Sequence, residues 1–276
     1  MMFRKIQIWV VILCLMHSVA AIAEITVDTE SLHLQFSEQG DLLRVEACFP
    51  SCVEDGANIR VLSAGQGMLV FDQGNTRGLQ LEREHKDATT ILSFSNQSGE
   101  VKRRWQIPDQ GWMLSVSSID AATATLMSGT DFRPAPSSGF GYLLEQSRYL
   151  IFDESSVETI GLDETEKVVR TSNGWLGFRN RFWTAMVLPV HSLSIIPVTG
   201  ESVEDARIDM TATAQKQGFD LDIYLGPIEP KALSDSASEL ESLMYSGLWF
   251  WLRWICQALY FLLNAIFMVV PQWGLE

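Results

Sequence analysis

Hydrophobic and polar residues alternate along most of this chain between residues 24 and 230, and this alternation restricts the fold more than any other feature. Side chains that alternate with period two lie on opposite faces of a β-strand. Turn-forming residues such as Gly40, Gly56, Gly74 and Gly99 interrupt the pattern. Short strands with turn signals about every ten residues are typical of an antiparallel sandwich or barrel. We therefore expect a mainly β domain.

The alternation can be followed along the chain from the first strand to the last. It predicts strands over residues 25–27, 32–36, 43–49, 59–62, 68–71, 79–82, 90–95, 101–107, 113–119, 149–152, 168–171 and 219–225. The acidic run 153–166 is interpreted as a solvated loop or sheet edge. After a Gly-Pro break at 226–227, apolar residues at helical spacing predict a linker helix over 231–243.

The last segment of the chain has the composition of a membrane-associated helix. Residues 247–270 are almost wholly apolar and, at about 1.5 Å per residue, are long enough to cross a bilayer. Their few polar residues fall on one line of a helix, and tryptophans stand at both ends, where aromatic rings favour the headgroup layer. This pattern favours a helix lying flat in the membrane interface over a spanning helix. The residues expected at the interface are Trp249, Trp251, Arg253, Trp254, Gln257, Tyr260, Asn264 and Trp273.

The first 23 residues have the features of an export signal. Arg4 and Lys5 precede an apolar run that ends in Ala21-Ile22-Ala23, which fits the A-x-A pattern of a cleavage site. A cleaved signal peptide and a retained membrane anchor both remain open. In either case the rest of the chain is exported.

Two of the four cysteines lie in the exported body, as Cys48 and Cys52 in the sequence CFPSC. An oxidising compartment allows a disulfide between them, although two free thiols are an equal alternative for so short a loop. Cys14 and Cys256 lie in the apolar ends of the chain.

Charge and motif content exclude several functions. The net charge of −14 argues against nucleic acid as a partner. The four histidines are far apart in sequence and none has a second ligand at metal-binding spacing. The chain has no Gly-rich phosphate loop and no G-x-S-x-G elbow. We therefore predict no catalytic, cofactor-binding or metal-binding residues, no cofactor, and no enzymatic activity. Arg179 and Arg181 are interpreted as polar side chains of a half-exposed strand.

Several segments resemble the YidC membrane-protein insertase family. The tail carries YLGP at 224–227, YSGLWF at 245–250 and QWG at 272–274, which are similar to the family's last periplasmic strand, its interfacial helix and its NWG signature. Residues 173–175 with 182–189 and residues 25–40 are also similar to family segments. Gln272 replaces the usual asparagine of the signature.

The resemblance implies a periplasmic antiparallel β-super-sandwich of the galactose-mutarotase-like kind. It also implies a role, with chaperone character, in inserting and folding inner-membrane proteins. The implied partners are the inner membrane, components of the Sec translocon, an insertase core and nascent membrane proteins. Family members continue past the signature into the insertase core, whereas this sequence stops at Glu276. We therefore expect a periplasmic module without its own core, arising from a split gene, a truncation or a stand-alone role.

The expected organisation has four parts: a signal or anchor (1–23), a β-sandwich (24–230), a linker helix (231–246) and an interfacial helix (247–276). The alternative function is a mutarotase-like carbohydrate-binding protein or enzyme on the same sandwich, which would need a carboxylate base facing an acid histidine across a cleft. A structural periplasmic protein without activity is the third hypothesis.

Overall fold

The computed structural model describes residues 24–54, 58–62, 67–72, 78–119, 121–128, 148–153, 156–161, 170–172, 174–198, 207–212, 218–245 and 250–269. The expected signal or anchor segment, residues 1–23, lies outside these ranges. So do residues 246–249 and 270–276, which include Trp249 and Trp273.

Within these ranges the chain forms two antiparallel β-sheets of nine strands each. From edge to edge, sheet A contains β1 (Ile25–Asp28), β2 (Leu32–Phe36), β3 (Leu42–Phe49), β5 (Leu69–Phe71), β10 (Thr123–Met127), β17 (Arg207–Ala212), β16 (Leu193–Val198) and β13 (Arg170–Ser172), with β4 (Asn58–Val61) paired to β3. Sheet B contains β12 (Ser156–Gly161), β11 (Arg148–Asp153), β14 (Leu176–Arg179), β15 (Trp183–Pro189), β18 (Phe219–Pro227), β9 (Met113–Ser118), β8 (Val101–Pro108), β7 (Thr89–Ser95) and β6 (Gln80–Lys86). The prediction of a mainly β, antiparallel fold is confirmed.

The two sheets share one hydrophobic core. Phe36 of sheet A meets Trp105 of sheet B edge to face, with ring centroids 5.0 Å apart. Phe71 and Phe219 make a second contact of this kind at 5.9 Å. All four rings are buried, and such aromatic pairs add to the stabilisation gained by burying apolar area. The arrangement is the one expected of a β-sandwich.

A buried ion pair also joins the sheets. Arg103 of β8 donates from Nη1 to Oδ1 of Asp41, at 2.6 Å, and to the backbone oxygen of Gln39, at 2.7 Å. Its guanidinium lies 4.3 Å from the ring centroid of Phe71. Burial lowers the pKa of Arg103, while the carboxylate of Asp41 opposes that effect. Because the charge is compensated by these contacts, both ions can lie inside the sandwich.

The linker differs from the single helix that was expected. It consists of α1 (Pro230–Ser236) and a 3₁₀ helix (Ser238–Tyr245), and α2 (Phe250–Val269) follows. Ala237 between the first two is extended, with φ −160° and ψ 132°. Just before it, the hydroxyls of Ser234 and Ser236 donate to the carbonyls of Lys231 and Ala232. Serine side chains that bond helix carbonyls in this way weaken a helix, which explains the early break.

Candidate functional site

A second apolar cluster lies on the face of sheet B that points away from the core. Along β11, β15 and β18, neighbouring residues alternate between the two clusters, because successive residues of a strand face opposite sides. On β15, for example, Met186 belongs to the second cluster, whereas Ala185 and Val187 belong to the core. The second cluster consists of Leu150, Phe152, Trp175, Met186, Tyr224, Leu233, Leu240 and Leu243. Three of these residues belong to the linker, so the linker packs on the outer face of sheet B.

Polar contacts hold the linker in place. Arg179 of β14 donates from Nη1 to the backbone oxygen of Leu243, at 2.9 Å. Glu229 caps α1, because its Oε2 accepts from the backbone N–H of Ala232 at 2.8 Å. Arg179 was expected to be only a polar strand residue, but its contact lies 64 residues away in sequence. Sequence patterns carry no signal for such a contact.

Tyr224 and Trp112 shape the strand that leads into the linker. The hydroxyl of Tyr224 donates to the backbone oxygen of Pro227 at 2.6 Å, and burial raises the pKa of this phenol. Gly226 leaves room for the indole of Trp112, since a Cβ at this position would lie 2.6 Å from Cγ of that ring. Trp112 also donates from Nε1 to the backbone oxygen of Cys48 at 3.2 Å. Gly226 and Pro227 do not break the sheet as expected, because both are paired with β15 at the end of β18, and Gly226 has a packing role there.

Helix α2 exposes a large apolar surface. Residues 257–263 are exposed without interruption, and seven successive residues span nearly two turns and so reach every side of a helix. Trp254 and Phe261 are 62% and 76% exposed. Among the described residues, neither sheet packs extensively against this helix. An apolar surface of this kind marks an interaction site for a membrane or another protein.

The predicted interface residues can be placed only in part. Trp254, Gln257 and Tyr260 are exposed on α2. Arg253 and Asn264 lie on the same helix, but the structure does not describe their side chains or that of Trp251. None of the helices in the described part of the chain combines the length and apolarity that crossing a membrane requires. A membrane role of these residues stays a prediction.

Two histidines that could serve as the acid of a mutarotase-like enzyme, His85 and His191, are exposed. His85 Nε2 is 3.6 Å from Asp109 Oδ2, and His191 Nε2 is 3.9 Å from Asp220 Oδ2. His191 and Asp220 line a small cleft, but their side chains are only 3.9 Å apart. No sugar ring fits between two groups at that distance, so this pair does not have the geometry of a base and an acid on either side of a substrate.

One group of potential ligands was not anticipated from the sequence. Cys48 and Cys52 form a disulfide with their Cα atoms 5.0 Å apart, and a ring nitrogen of His33 lies within 4.8 Å of both sulfurs. His33 is on β2 and Cys48 on β3, which pair as neighbours in sheet A. Spacing along the chain gave no sign of this group, because the strand pairing brings it together.

A comparison with known protein families shows to which family the chain is related. Residues 68–262 match the family model described as the YidC periplasmic domain. The chain belongs to this family. The match runs from just before β5 through the linker and into α2, so the surface described above lies largely within the family region. No curated protein matches the chain.

Membership confirms the resemblance to YidC found in the sequence. A YidC periplasmic domain is a module associated with a membrane-protein insertase, and its family implies a place on the periplasmic side of a membrane. The family is not one of enzymes.

Proposed function

We propose that this YidC periplasmic domain assists the insertion and folding of inner-membrane proteins while α2 lies in the outer surface of the inner membrane. The observation that carries the proposal is the exposed apolar surface of α2 together with a linker packed on the family's β domain. Trp254, Gln257 and Tyr260, which are exposed, would lie at the level of the headgroups. The proposed role is that of a binding module and chaperone without catalytic activity.

The organisation expected from the sequence is part of this proposal. Residues 1–23 direct export, either as a cleaved signal or as an anchor, and residues 24–230 form a sandwich of the galactose-mutarotase-like kind. Residues 231–246 connect it to the interfacial segment 247–276. The proposed partners are an insertase core, components of the Sec translocon and nascent membrane proteins.

Docking on the membrane can be measured at Cys256, which lies on α2. The full chain with Cys14→Ser is labelled at Cys256 with an environment-sensitive fluorophore and mixed with vesicles of zwitterionic and anionic phospholipid. We expect a blue shift of the emission, with quenching by lipids brominated near the headgroups and little quenching by lipids brominated near the bilayer centre.

Two variants identify the surface that is responsible for vesicle binding. Phe261→Glu places a charge on α2, whereas Leu81→Glu places one on the exposed strand β6 as a matched control. We expect Phe261→Glu to abolish the blue shift and Leu81→Glu to leave it unchanged. An equal shift in both variants, or quenching strongest at the bilayer centre, would contradict an interfacial helix.

The role in insertion requires a separate measurement. A photo-reactive residue is placed at Phe261 or, as a control, at Leu81, and a ribosome-stalled inner-membrane protein is produced in the same cells. We expect crosslinks from the α2 position to the nascent chain, the insertase core or Sec components. Crosslinks to none of these from α2, in cells where the protein fractionates with the inner membrane, would refute the proposed role and leave the docking result intact.

A further inference from the structure

The strand pairing at one edge of sheet A places three potential metal ligands together. His33 lies on β2, Cys48 on β3 and Cys52 in the turn after β3, and one donor atom from each lies within 4.8 Å of the others. The turn is held by backbone hydrogen bonds from Cys48 N to Ser31 O, at 3.0 Å, and from Cys52 N to Glu30 O, at 2.6 Å. The scaffold around the three donors is therefore ordered by β1, β2 and the turn between them.

His33 is oriented by a carboxylate. Its Nδ1 lies 2.8 Å from Oδ1 of Asp28, the residue opposite it on β1. A histidine that donates Nδ1–H to a carboxylate presents the lone pair of Nε2, and metal-binding histidines usually have a partner of this kind. Asp28 thus favours the tautomer in which Nε2 can bind a metal.

We propose that His33, Cys48 and Cys52 bind a single Cu⁺ ion when the disulfide is reduced. Two thiolates are soft ligands, and together with one imidazole they favour Cu⁺ or Zn²⁺ over hard cations. A Zn²⁺ ion bound by the same three residues would need a fourth ligand, such as a water, to complete its tetrahedron. The three donors here suit a Cu⁺ site of three ligands, for which the two sulfurs must move apart once the disulfide is reduced.

The site is created by an exchange reaction with a dithiol. A thiolate of the dithiol attacks Sγ of Cys52, which is partly exposed, and the S–S bond breaks with Cys48 leaving as a thiolate. The second thiol of the reductant then displaces Cys52. The two protein sulfurs gain two electrons and two protons, and the reductant becomes a disulfide. Cu⁺ binding releases the two thiol protons, so disulfide formation and metal binding exclude each other.

The three ligands differ in burial in a way that allows the disulfide to open and the metal site to form. Cys48 is fully buried within β3, whereas Cys52 is partly exposed in the turn, so the turn can move outward while the strand stays in place. The side chain of His33 is 38% exposed, which leaves a path for the ion from solvent.

The test uses the full chain in detergent with Cys14→Ser and Cys256→Ser, so that Cys48 and Cys52 are its only cysteines. The disulfide is reduced with a phosphine, and Cu⁺ is titrated in competition with a chromogenic Cu⁺ chelator under anaerobic conditions. We expect one Cu⁺ per reduced chain and none per oxidised chain. X-ray absorption should show two sulfur ligands and one nitrogen ligand.

Three variants separate this site from nonspecific thiol binding. His33→Ala should weaken Cu⁺ binding more than tenfold and remove the nitrogen ligand, whereas His85→Ala, on exposed β6, should change neither. Asp28→Asn should weaken binding about 10- to 100-fold. Because His33→Ala and Asp28→Asn retain the disulfide, their folding can be checked in the oxidised form by circular dichroism.

Several outcomes would overturn the proposal. These are equal Cu⁺ binding by oxidised and reduced protein, undiminished binding in a folded His33→Ala variant, or preferential binding of Zn²⁺ over Cu⁺ by the reduced chain.

Discussion

The guanidinium of Arg179 donates a hydrogen bond to the backbone oxygen of Leu243 across 64 residues of sequence. This bond joins β14 of sheet B to the last turns of the 3₁₀ helix, shortly before α2 begins. It fixes the point from which the exposed helix departs. Together with the buried leucines of the linker, it determines how firmly the proposed membrane-binding segment is held to the β domain.

Replacing Arg179 by glutamine should loosen the linker without unfolding the sandwich. Hydrogen bonds from charged groups contribute about 1.5–3 kcal/mol, so amide exchange in the 3₁₀ helix should accelerate about 10- to 100-fold. Hydrogen–deuterium exchange with mass spectrometry measures this. Arg181→Gln is the matched control, because Arg181 is exposed. Equal acceleration in both variants would show that the Leu243 contact does not hold the linker.

Removing the carboxylate of Asp41 should destabilise the whole sandwich. Asp41→Ala leaves Arg103 buried without its ion-pair partner, which typically costs about 3–5 kcal/mol. Glu46→Ala breaks the exposed pair with Arg44, whose N···O distance is 2.8 Å, and should cost less than about 1 kcal/mol. Urea unfolding gives both values. A double variant with Arg103→Leu should recover part of the loss, and no recovery would mean that the pair is not the cause.

Alkaline pH should destabilise the domain through two buried tyrosines. Burial raises the pKa of Tyr149 and of Tyr224 above the ordinary phenol value of about 10. Above pH 10 the unfolded chain loses these protons while the folded chain keeps them. Their contribution is therefore complete below about pH 10 and declines above it, by about 1.4 kcal/mol per pH unit for each tyrosine.

Urea unfolding at several alkaline pH values tests this behaviour. The variant Tyr149→Phe/Tyr224→Phe should show a flatter decline. At neutral pH it should lose about 1 kcal/mol per residue, because the hydroxyls donate to Val198 O and Pro227 O. If the unfolding free energy of the double variant declined with pH as steeply as that of the original chain, the two phenols would not be the cause of the alkaline destabilisation.

A side chain at Gly226 should disturb the start of the linker. Gly226→Ala places a Cβ 2.6 Å from Cγ of Trp112, and overpacking of this kind costs about 1–3 kcal/mol. Trp112→Gly in the same chain removes both atoms that the new Cβ would meet, Cγ at 2.6 Å and Cβ at 2.7 Å, and should relieve part of the cost. A double-mutant cycle measured by urea unfolding gives the coupling. Additive effects would show that the two residues do not compete for space.

The fold class could be predicted because alternation records which face of a strand is buried. It did not predict β17, where only Ile208 and Met210 are buried and no turn residue sets the strand apart. The break at Ala237 was missed since apolar spacing in the linker continues through it. The apolar pattern shows only which residues are buried. Hydrogen bonds from serine hydroxyls to helix carbonyls do not change burial, so the pattern cannot reveal the break.

The candidate site was predictable only where one segment carried the signal. The apolar character of α2 is local, so an apolar helix in this segment could be predicted from composition. Arg179 with Leu243, and His33 with the two cysteines, are contacts between distant segments. Their partners depend on strand order and register, which one sequence does not specify.

Sheet B separates the two apolar clusters, so the stability of the packed linker is distinct from that of the core. Because no described residue of the linker belongs to the core cluster, we expect the linker to detach before the sandwich unfolds. Stretched out, residues 230–245 would span roughly 50 Å at about 3.3 Å per residue. If α2 lies in the membrane as proposed, release of the packed linker would let the β domain move away from the bilayer while α2 stays bound, on a tether whose extended length exceeds the thickness of the lipid hydrocarbon.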